Sequence, residues 1–413
     1  MSDTCFAPKL MPFDIALTSL LDGVHCTRET KTLSLEDSID HVLAEDVVSK
    51  VNVPPHDNSA MDGFAFHSSS FSDNPNQSLT LVGKAMAGRP FSRRVETGEC
   101  VRIMTGAKIP TGCDTVVMQE NTKIVEHQVT VNAIPKVGNN IRLQGEDIHQ
   151  NTVLMRQGDK IRPVDIGLLA SLGVPTVNVY RPVKVAVLST GDELKPPGQA
   201  LAEGEIYESN RPVLKALLSR LNCQVIDFGI IKDDKQELEQ TFKLAAHQAD
   251  VVISTGGVSV GEADYTKDIL AKLGHIEFWK IAMKPGKPFA FGHLTDSVFF
   301  GLPGNPVSTM VTFMLLVVPG LAKMQGQSMT LSPFIKAKVG KKIPKSGYRM
   351  EFMRAILSSN EQGQAVVNRT DNQGSGVLTS MAIANCFIKV PANSDEFNIG
   401  DWVDVLPFDG GLF

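Results

Sequence analysis

The chain has 413 residues, of which 42% are hydrophobic and 21% charged, with a formal net charge of −5. That length exceeds one ordinary hydrophobic core and predicts two to four domains. The charge excludes the broad basic footprint of a nucleic-acid-binding protein. Thirty-four glycines and 23 prolines favour turns and short strands over a helical bundle. Six scattered cysteines without a CxxC pair, and histidines without HExxH spacing, leave no zinc or thioredoxin-type motif. The segment Met1 to Pro12 lacks a basic stretch followed by an apolar one, and the apolar run Met310 to Val318 is too short to span a bilayer. A cytoplasmic location with no membrane contact is therefore expected.

Apolar residues recur at helical spacing from Phe13, and Ser34-x-x-Asp37 ahead of Ile39, Val42 and Leu43 predicts a second helix start. Residues 50 to 145 change character. Short β-type runs at Leu79–Val82, Cys100–Met104, Thr115–Met118 and Gln128–Val131 alternate with Gly, Pro and Asn, which predicts a small β domain. A helix is expected from Val164 to Leu172. The flanking pieces, 1–49 and 146–180, are expected to form one linking domain of helical and mixed character, interrupted by the insertion.

From Val183 the rhythm becomes strand–loop–helix. Strands are predicted at Val183–Leu188, Gln224–Asp227, Val251–Ser254 and Phe299–Gly301. Helices follow from Ser209-Asn210, from Asp233 to about Gln248, at Tyr265–Leu273 and at Asn305–Met324. Strands alternating with helices imply a doubly wound parallel sheet over 181–326. The tail, 327–413, returns to short alternating strands such as Phe334–Val339, Ala365–Val367 and Trp402–Leu406, and reads as a C-terminal β domain. The fold class is thus multidomain α/β plus β.

Ligands of doubly wound sheets collect at the carboxyl ends of the strands. Here those ends carry Ser189-Thr190-Gly191-Asp192-Glu193, then Lys232-Asp233-Asp234, then Ser254-Thr-Gly256-Gly257-Val258-Ser259-Val-Gly261-Glu-Ala-Asp264. Beyond them come Lys284-Pro-Gly-Lys287-Pro288 and Gly301-Leu-Pro303-Gly304-Asn305-Pro306. The glycines let backbone N–H groups approach an anion, and adjoining helix starts add positive dipole ends. Glu193, Asp233 and Asp264 supply hard oxygen donors from three loops, a set that suits Mg²⁺. Lys284 and Lys287 would neutralise an oxyanion and lie too close for comfort without one. Each feature has a plain structural alternative: a Gly-rich turn, an N-cap at Asp233 or Asp234, a solvated lysine turn. Their succession at strand ends favours a site. No GxGxxG follows the first strand, so a nicotinamide site is not expected. A second constellation, Asp57-Asn-Ser-Ala-Met-Asp62-Gly63 with Arg102-Ile-Met-Thr105-Gly106, lies in the β insertion.

These motifs, together with Gln144-Gly-Glu-Asp147, closely resemble the signatures of the bacterial molybdopterin molybdenumtransferase family, from about residue 10 to the end of the chain. The resemblance implies a four-domain transferase of molybdenum cofactor synthesis, working as a homodimer. It would insert molybdate into the dithiolene of adenylylated molybdopterin, using Mg²⁺ and releasing AMP. It implies that Glu193, Asp233 and Asp264 hold metal and nucleotide, and that Asp62, Thr105 and Asp147 join them as catalytic positions of undefined role. Substrate contacts would come from Ser189, Thr190, Gly191, Asp192, Gly256, Gly257, Val258, Ser259, Gly261, Lys280, Pro303, Gly304, Asn305 and Pro306. Molybdate would meet Lys284, Lys287, Pro288, Ser308, Arg354 and Ser375. The adenylyltransferase of the same pathway is a candidate partner.

Two rival readings accompany this one. The first is the adenylyltransferase acting one step earlier, which would need only residues 180 to 325. The second is a non-catalytic scaffold on the same fold. The β insertion and C-terminal β domain disfavour the first; the acidic residues and loop lysines disfavour the second. Which carboxylate acts as a general base, and whether Asp233 or Asp234 is the ligand, stay open. Because Asp62 and Asp264 lie on different domains, the resemblance also implies a composite site, with Asp62 from one chain and Asp264 from its partner.

Overall fold

The computed structural model describes residues 10–71, 77–257, 265–328, 334–345 and 347–408. At its centre is a six-stranded sheet in the order Gln224–Ile231, Lys184–Thr190, Val251–Thr255, Val298–Leu302, Pro288–Leu294, Gly274–Lys280. The first four strands run parallel, as the strand–helix alternation predicts. The last two are an addition to the expectation: both pair antiparallel and extend the sheet beyond its parallel part. Their polar and aromatic content masks the buried-strand pattern in the sequence.

Apolar side chains lie on both faces of this sheet. Val185, Val187, Val251 and Ile253 face one core with helices Asn210–Arg220 and Pro306–Thr312, while Ala186, Leu188 and Val252 face another with Lys235–Gln248. Residues 306–324 form one long apolar helix, most of which is buried in the molecule. Its middle, Phe313–Val317, widens into a π-helical turn just before Pro319. Proline lacks the N–H a regular turn would use, and the wider turn accommodates its ring.

Two expectations for the N-terminal region change. Helix Phe13–Gly23 packs in the core of the central sheet through Phe13, Ala16 and Leu20, rather than with the linking pieces. Gly320 permits that packing, because a Cβ there would lie 3.0 Å from Leu20. The helix expected after Ser34 is a single turn, Glu36–Ser38. Ser34 Oγ and the Asp37 carboxylate do bond at 2.7 Å, yet Asp40 at φ 62° ends the turn. Leu43 instead enters a small core with Met155, Ile161, Leu169 and Val179. The segments on either side of the insertion do meet: Thr30–Ser34 pairs with Thr176–Tyr180, and Val47–Val48 with Val153–Met155. The helix between them is Pro163–Ser171.

The insertion carries its own six-stranded sheet, ordered Thr115–Met118, Gly63–Phe66, Glu99–Ile103, Leu79–Ala85, Gln128–Val131, Thr122–Val125. In the C-terminal region, Met350–Ser359, Ala365–Arg369, Ile335–Val339, Trp402–Pro407 and Cys386–Val390 pair in turn, and the last pairs back to the first, closing a barrel. Strand alternation sends Cys386, Ile388 and Val390 inward, while Phe387 and Phe352 join the core of the central sheet. The Phe352 ring lies 5.2 Å from that of Phe13. Each such buried ring contributes about 1.5–3 kcal/mol and fixes the barrel beside the carboxyl ends of the sheet.

Candidate functional site

The loops at those ends are built for close approach. Gly191 has φ 143°, and a Cβ there would meet the Glu193 carboxylate at 2.6 Å. Gly256 has φ 87°, and its Cβ would lie 2.6 Å from the Thr190 carbonyl. Only glycine lets these two turns pass so near each other. Beneath them lies a buried polar network. Ser189 Oγ donates to Glu208 Oε1 at 3.1 Å and lies 2.9 Å from Thr255 Oγ1. Glu208 Oε1 also accepts from the backbone N–H of Arg211 at 2.7 Å, satisfying a donor in the first turn of helix Asn210–Arg220, where the Ser209 side chain makes no cap bond. Glu208 carries no sequence signal of its own; only the fold brings it under Ser189. Thr190 is buried and Asp192 is exposed.

The Asp233–Asp234 pair divides its work. Asp234 is the N-cap of helix Lys235–Gln248, its carboxylate accepting from the backbone N–H groups of Gln236 and Glu237. Asp233 is left to face the neighbouring loop, where its backbone N–H donates to Asp192 Oδ1 at 3.2 Å. Burial pushes the Asp233 carboxyl above its ordinary range, and the negative charges of Asp192 and Glu193 push it further. Like charges gathered in this way suit a hard divalent cation. Among the described residues no group of three potential ligands closes around one point. Asp264, the third donor expected from the sequence, lies outside the described residues, as do Val258, Ser259 and Gly261.

The GLPGNP loop joins the sheet to the barrel. Gly304 O accepts from Asn210 Nδ2 at 2.8 Å, and Pro303 O accepts from Thr309 Oγ1 at 2.5 Å. Asn305 Nδ2 donates to Ser375 Oγ at 3.2 Å, and the Val307 N–H to Ser375 O at 3.0 Å. Pro306 begins the helix that carries the buried Ser308. Across the same seam, Met283–Lys284 pairs in parallel with Met350 and Glu351. Gly286 abuts Thr312 of that helix, where a Cβ would lie 2.6 Å from Thr312 Cγ2. The expected oxyanion residues Lys284, Ser308, Arg354 and Ser375 are therefore gathered along one seam between two domains.

Three details add to the expectations there. Lys284 is paired with the buried Glu351, with Nζ 3.2 Å from Oε2. Arg354 is 1% exposed. Its guanidinium donates to Ser380 Oγ and to the carbonyls of Asn372 and Gly374 at 3.1, 3.4 and 3.0 Å, bracing the loop that presents Ser375. Burial lowers its pKa to about 10. Lys287 is the exposed member of the loop, and Pro288 pairs with the exposed Lys280 at the sheet edge.

In the insertion, three motifs converge through the backbone. Ser59 N–H donates to Ala107 O, Ile109 N–H to Asp57 O, and Asn58 and Ser59 pair with Arg142 and Ile141. Asp62 Oδ1 accepts from both the N–H and the hydroxyl of Thr105. These two bonds hold its carboxyl below the usual range. Gln144 N–H donates to Asp57 Oδ1 at 2.7 Å, and the exposed Asp147 donates its N–H to Val53 O. The hydrogen bonds of Asp62, Thr105 and Gln144 all end inside the insertion.

Three family models match this chain: "MoeA N-terminal region (domain I and II)" over residues 11–173, "Probable molybdopterin binding domain" over 186–323 and "MoeA C-terminal region (domain IV)" over 336–408. A molybdopterin molybdenumtransferase of Haemophilus influenzae is 45% identical over 404 residues, 97% of this chain and 99% of that protein. One from Staphylococcus aureus is 36% identical, covering 91% of this chain and 90% of the relative. The crystal structure of the molybdopterin biosynthesis protein MoeA from Pyrococcus horikoshii is 30% identical, with a TM-score of 0.84, covering 97% of this chain and all of that one.

Proposed function

The chain belongs to the molybdopterin molybdenumtransferase family, and we propose that it inserts molybdate into the dithiolene of adenylylated molybdopterin with Mg²⁺-dependent release of AMP. The relatives are named for the metal-transfer step, not for adenylyl transfer. The observation that carries the reading is the seam between the central sheet and the barrel. There, glycine turns able to receive phosphate adjoin a carboxylate group at one side and a lysine, serine and braced loop at the other.

In this reading the positive-φ turns at Gly191, Gly256 and Gly257 present backbone to the substrate's phosphates. The set Asp192, Glu193 and Asp233, with Asp264, would hold Mg²⁺. An ion held there would supply Lewis-acid polarisation of the phosphoanhydride whose cleavage releases AMP. Molybdate, a dianion, must approach thiolates and phosphate, a repulsion on the order of several kcal/mol at intermediate dielectric. Lys284 and Lys287 offset it, while the Ser375 hydroxyl supplies a hydrogen-bond donor. Arg354 acts through the Asn372–Ser375 loop. Asp62, Thr105 and Asp147 belong to a second cluster that a partner chain of a homodimer would bring to the seam.

The test is reconstitution. Purified protein is mixed with adenylylated molybdopterin, MgCl₂ and molybdate, and AMP and finished cofactor are measured. Stoichiometric AMP and cofactor, dependent on both molybdate and Mg²⁺, is the expected result. ATP consumption with molybdopterin instead would overturn it in favour of adenylyl transfer.

A further inference from the structure

Glu351 lies in the first part of barrel strand Met350–Ser359, is 1% exposed, and pairs in register with Lys284. Two ammonium groups reach it. Lys284 Nζ lies 3.2 Å from Oε2, with its side chain 38% exposed; Lys345 Nζ lies 3.6 Å from Oε1, with its side chain 8% exposed. Lys345 also donates to the Arg349 carbonyl at 2.6 Å, which fixes it within the barrel. Of these two lysines, Lys284 is the one that reaches solvent.

We infer that Glu351 is a positioning residue for oxyanion capture: the barrel uses this buried carboxylate to hold the Lys284 ammonium in place, so that the oxyanion site is complete only when both domains contribute. The inference rests on the reading of the Lys284–Lys287 loop as the molybdate-binding loop.

The physical reason is the lysine stem. Four methylenes carry large rotamer entropy, and freezing them on binding weakens affinity for a small ligand. A lysine already anchored by a buried carboxylate has met that cost in folding. Lys345, set against the same carboxylate, offsets part of its charge, so the anchor repels the anion less. Nor can Glu351 be a simple surface ion pair, because it is removed from water and its partner lysine is buried with it.

The experiment must separate position from charge and from folding. Glu351→Gln alone strands Lys345 as an uncompensated buried cation. The decisive variant is therefore Glu351→Gln with Lys345→Met, which removes one negative and one positive charge and preserves the local net charge. Lys345→Met alone is the reference, since Glu351 still holds Lys284 there. Lys287→Ala tests the underlying reading. Molybdate half-saturation and maximal turnover are measured with adenylylated molybdopterin, and molybdate binding to the protein alone is measured by calorimetry.

The double variant is expected to raise half-saturating molybdate at least tenfold over Lys345→Met and to weaken calorimetric binding in parallel. Turnover at saturating molybdate should stay within about twofold. Unchanged half-saturation in the double variant, with Lys287→Ala raising it, would overturn the role of Glu351 while leaving the loop's. Half-saturation that falls would also overturn it, because Glu351 would then compete with the anion. If Lys287→Ala leaves molybdate binding untouched, the reading of the loop itself fails. A double variant that melts lower, yet binds molybdate as the reference does, would assign Glu351 to stability alone.

Discussion

Thr105 donates twice to one oxygen of Asp62, through its N–H at 2.7 Å and its hydroxyl at 2.8 Å. Both bonds favour the ionised carboxylate and lower its pKa, with the backbone bond the larger cause. Thr105→Val removes the hydroxyl and keeps the N–H. The Asp62 carboxyl should then titrate at a higher pH, though still below an ordinary aspartate, as followed by NMR of labelled side chains. Because the folded pKa is depressed, whatever depends on this ionised form is lost as pH falls through it. The acid edge of the activity profile should therefore move to higher pH in the variant. Turnover at neutral pH should drop about tenfold, the scale of one hydrogen bond to a charge. An unmoved acid edge would separate Asp62 ionisation from the reaction.

Asp233 shows the opposite sign. Its folded pKa is raised, first by burial and then by Asp192 and Glu193. The stability linked to it is fully present below the ordinary carboxylate range and is lost as pH rises through the raised value. At pH 7 without divalent cations, Asp233→Asn should melt higher than wild type by about 1–3 °C, kept small by solvent screening. Mg²⁺ should raise the melting temperature of wild type by mass action and leave the variant unmoved. Equal stabilisation of both proteins by Mg²⁺ would place the ion elsewhere.

Gly256→Ala combines two penalties: a φ of 87° and a Cβ 2.6 Å from the Thr190 carbonyl. The conformational part alone costs about 1–3 kcal/mol. The variant should melt several degrees lower, and its affinity for adenylylated molybdopterin should fall more than tenfold as the loop withdraws from the phosphate. Gly376→Ala serves as control, since a Cβ there meets nothing. Should both variants bind alike, the glycine turn has no part in substrate binding.

Asp62 and Asp233 stand on separate units, and the hydrogen bonds of Asp62 close within the insertion. If a homodimer unites them across subunits, two inactive variants should complement. Refolding Asp62→Asn with Asp233→Asn in equal amounts makes about half of the dimers mixed, each with one intact site of two, so about a quarter of wild-type activity returns. Mixed dimers verified by mass spectrometry but devoid of activity would refute the shared site.

The order of strands and helices and the motifs at the strand ends were legible in the sequence, because both are local. Alternating apolar strands and helices impose a layered sheet, and glycine, acidic and lysine motifs follow individual strands. Asp233 and Asp234, identical in type and adjacent, could not be told apart that way. The start of helix Lys235–Gln248 takes one as its cap and leaves the other facing Asp192. Tertiary structure alone decided the rest. It set the antiparallel strands Gly274–Lys280 and Pro288–Leu294 on the sheet edge, drew helix Phe13–Gly23 into the central core, and tied the Arg354 guanidinium to the loop that presents Ser375. It also put Glu351 against Lys284, 67 positions away. Sequence pattern encodes what a side chain does to its own segment. A buried charge's partner is chosen by which domains pack together, and that depends on the whole set of apolar surfaces being buried at once.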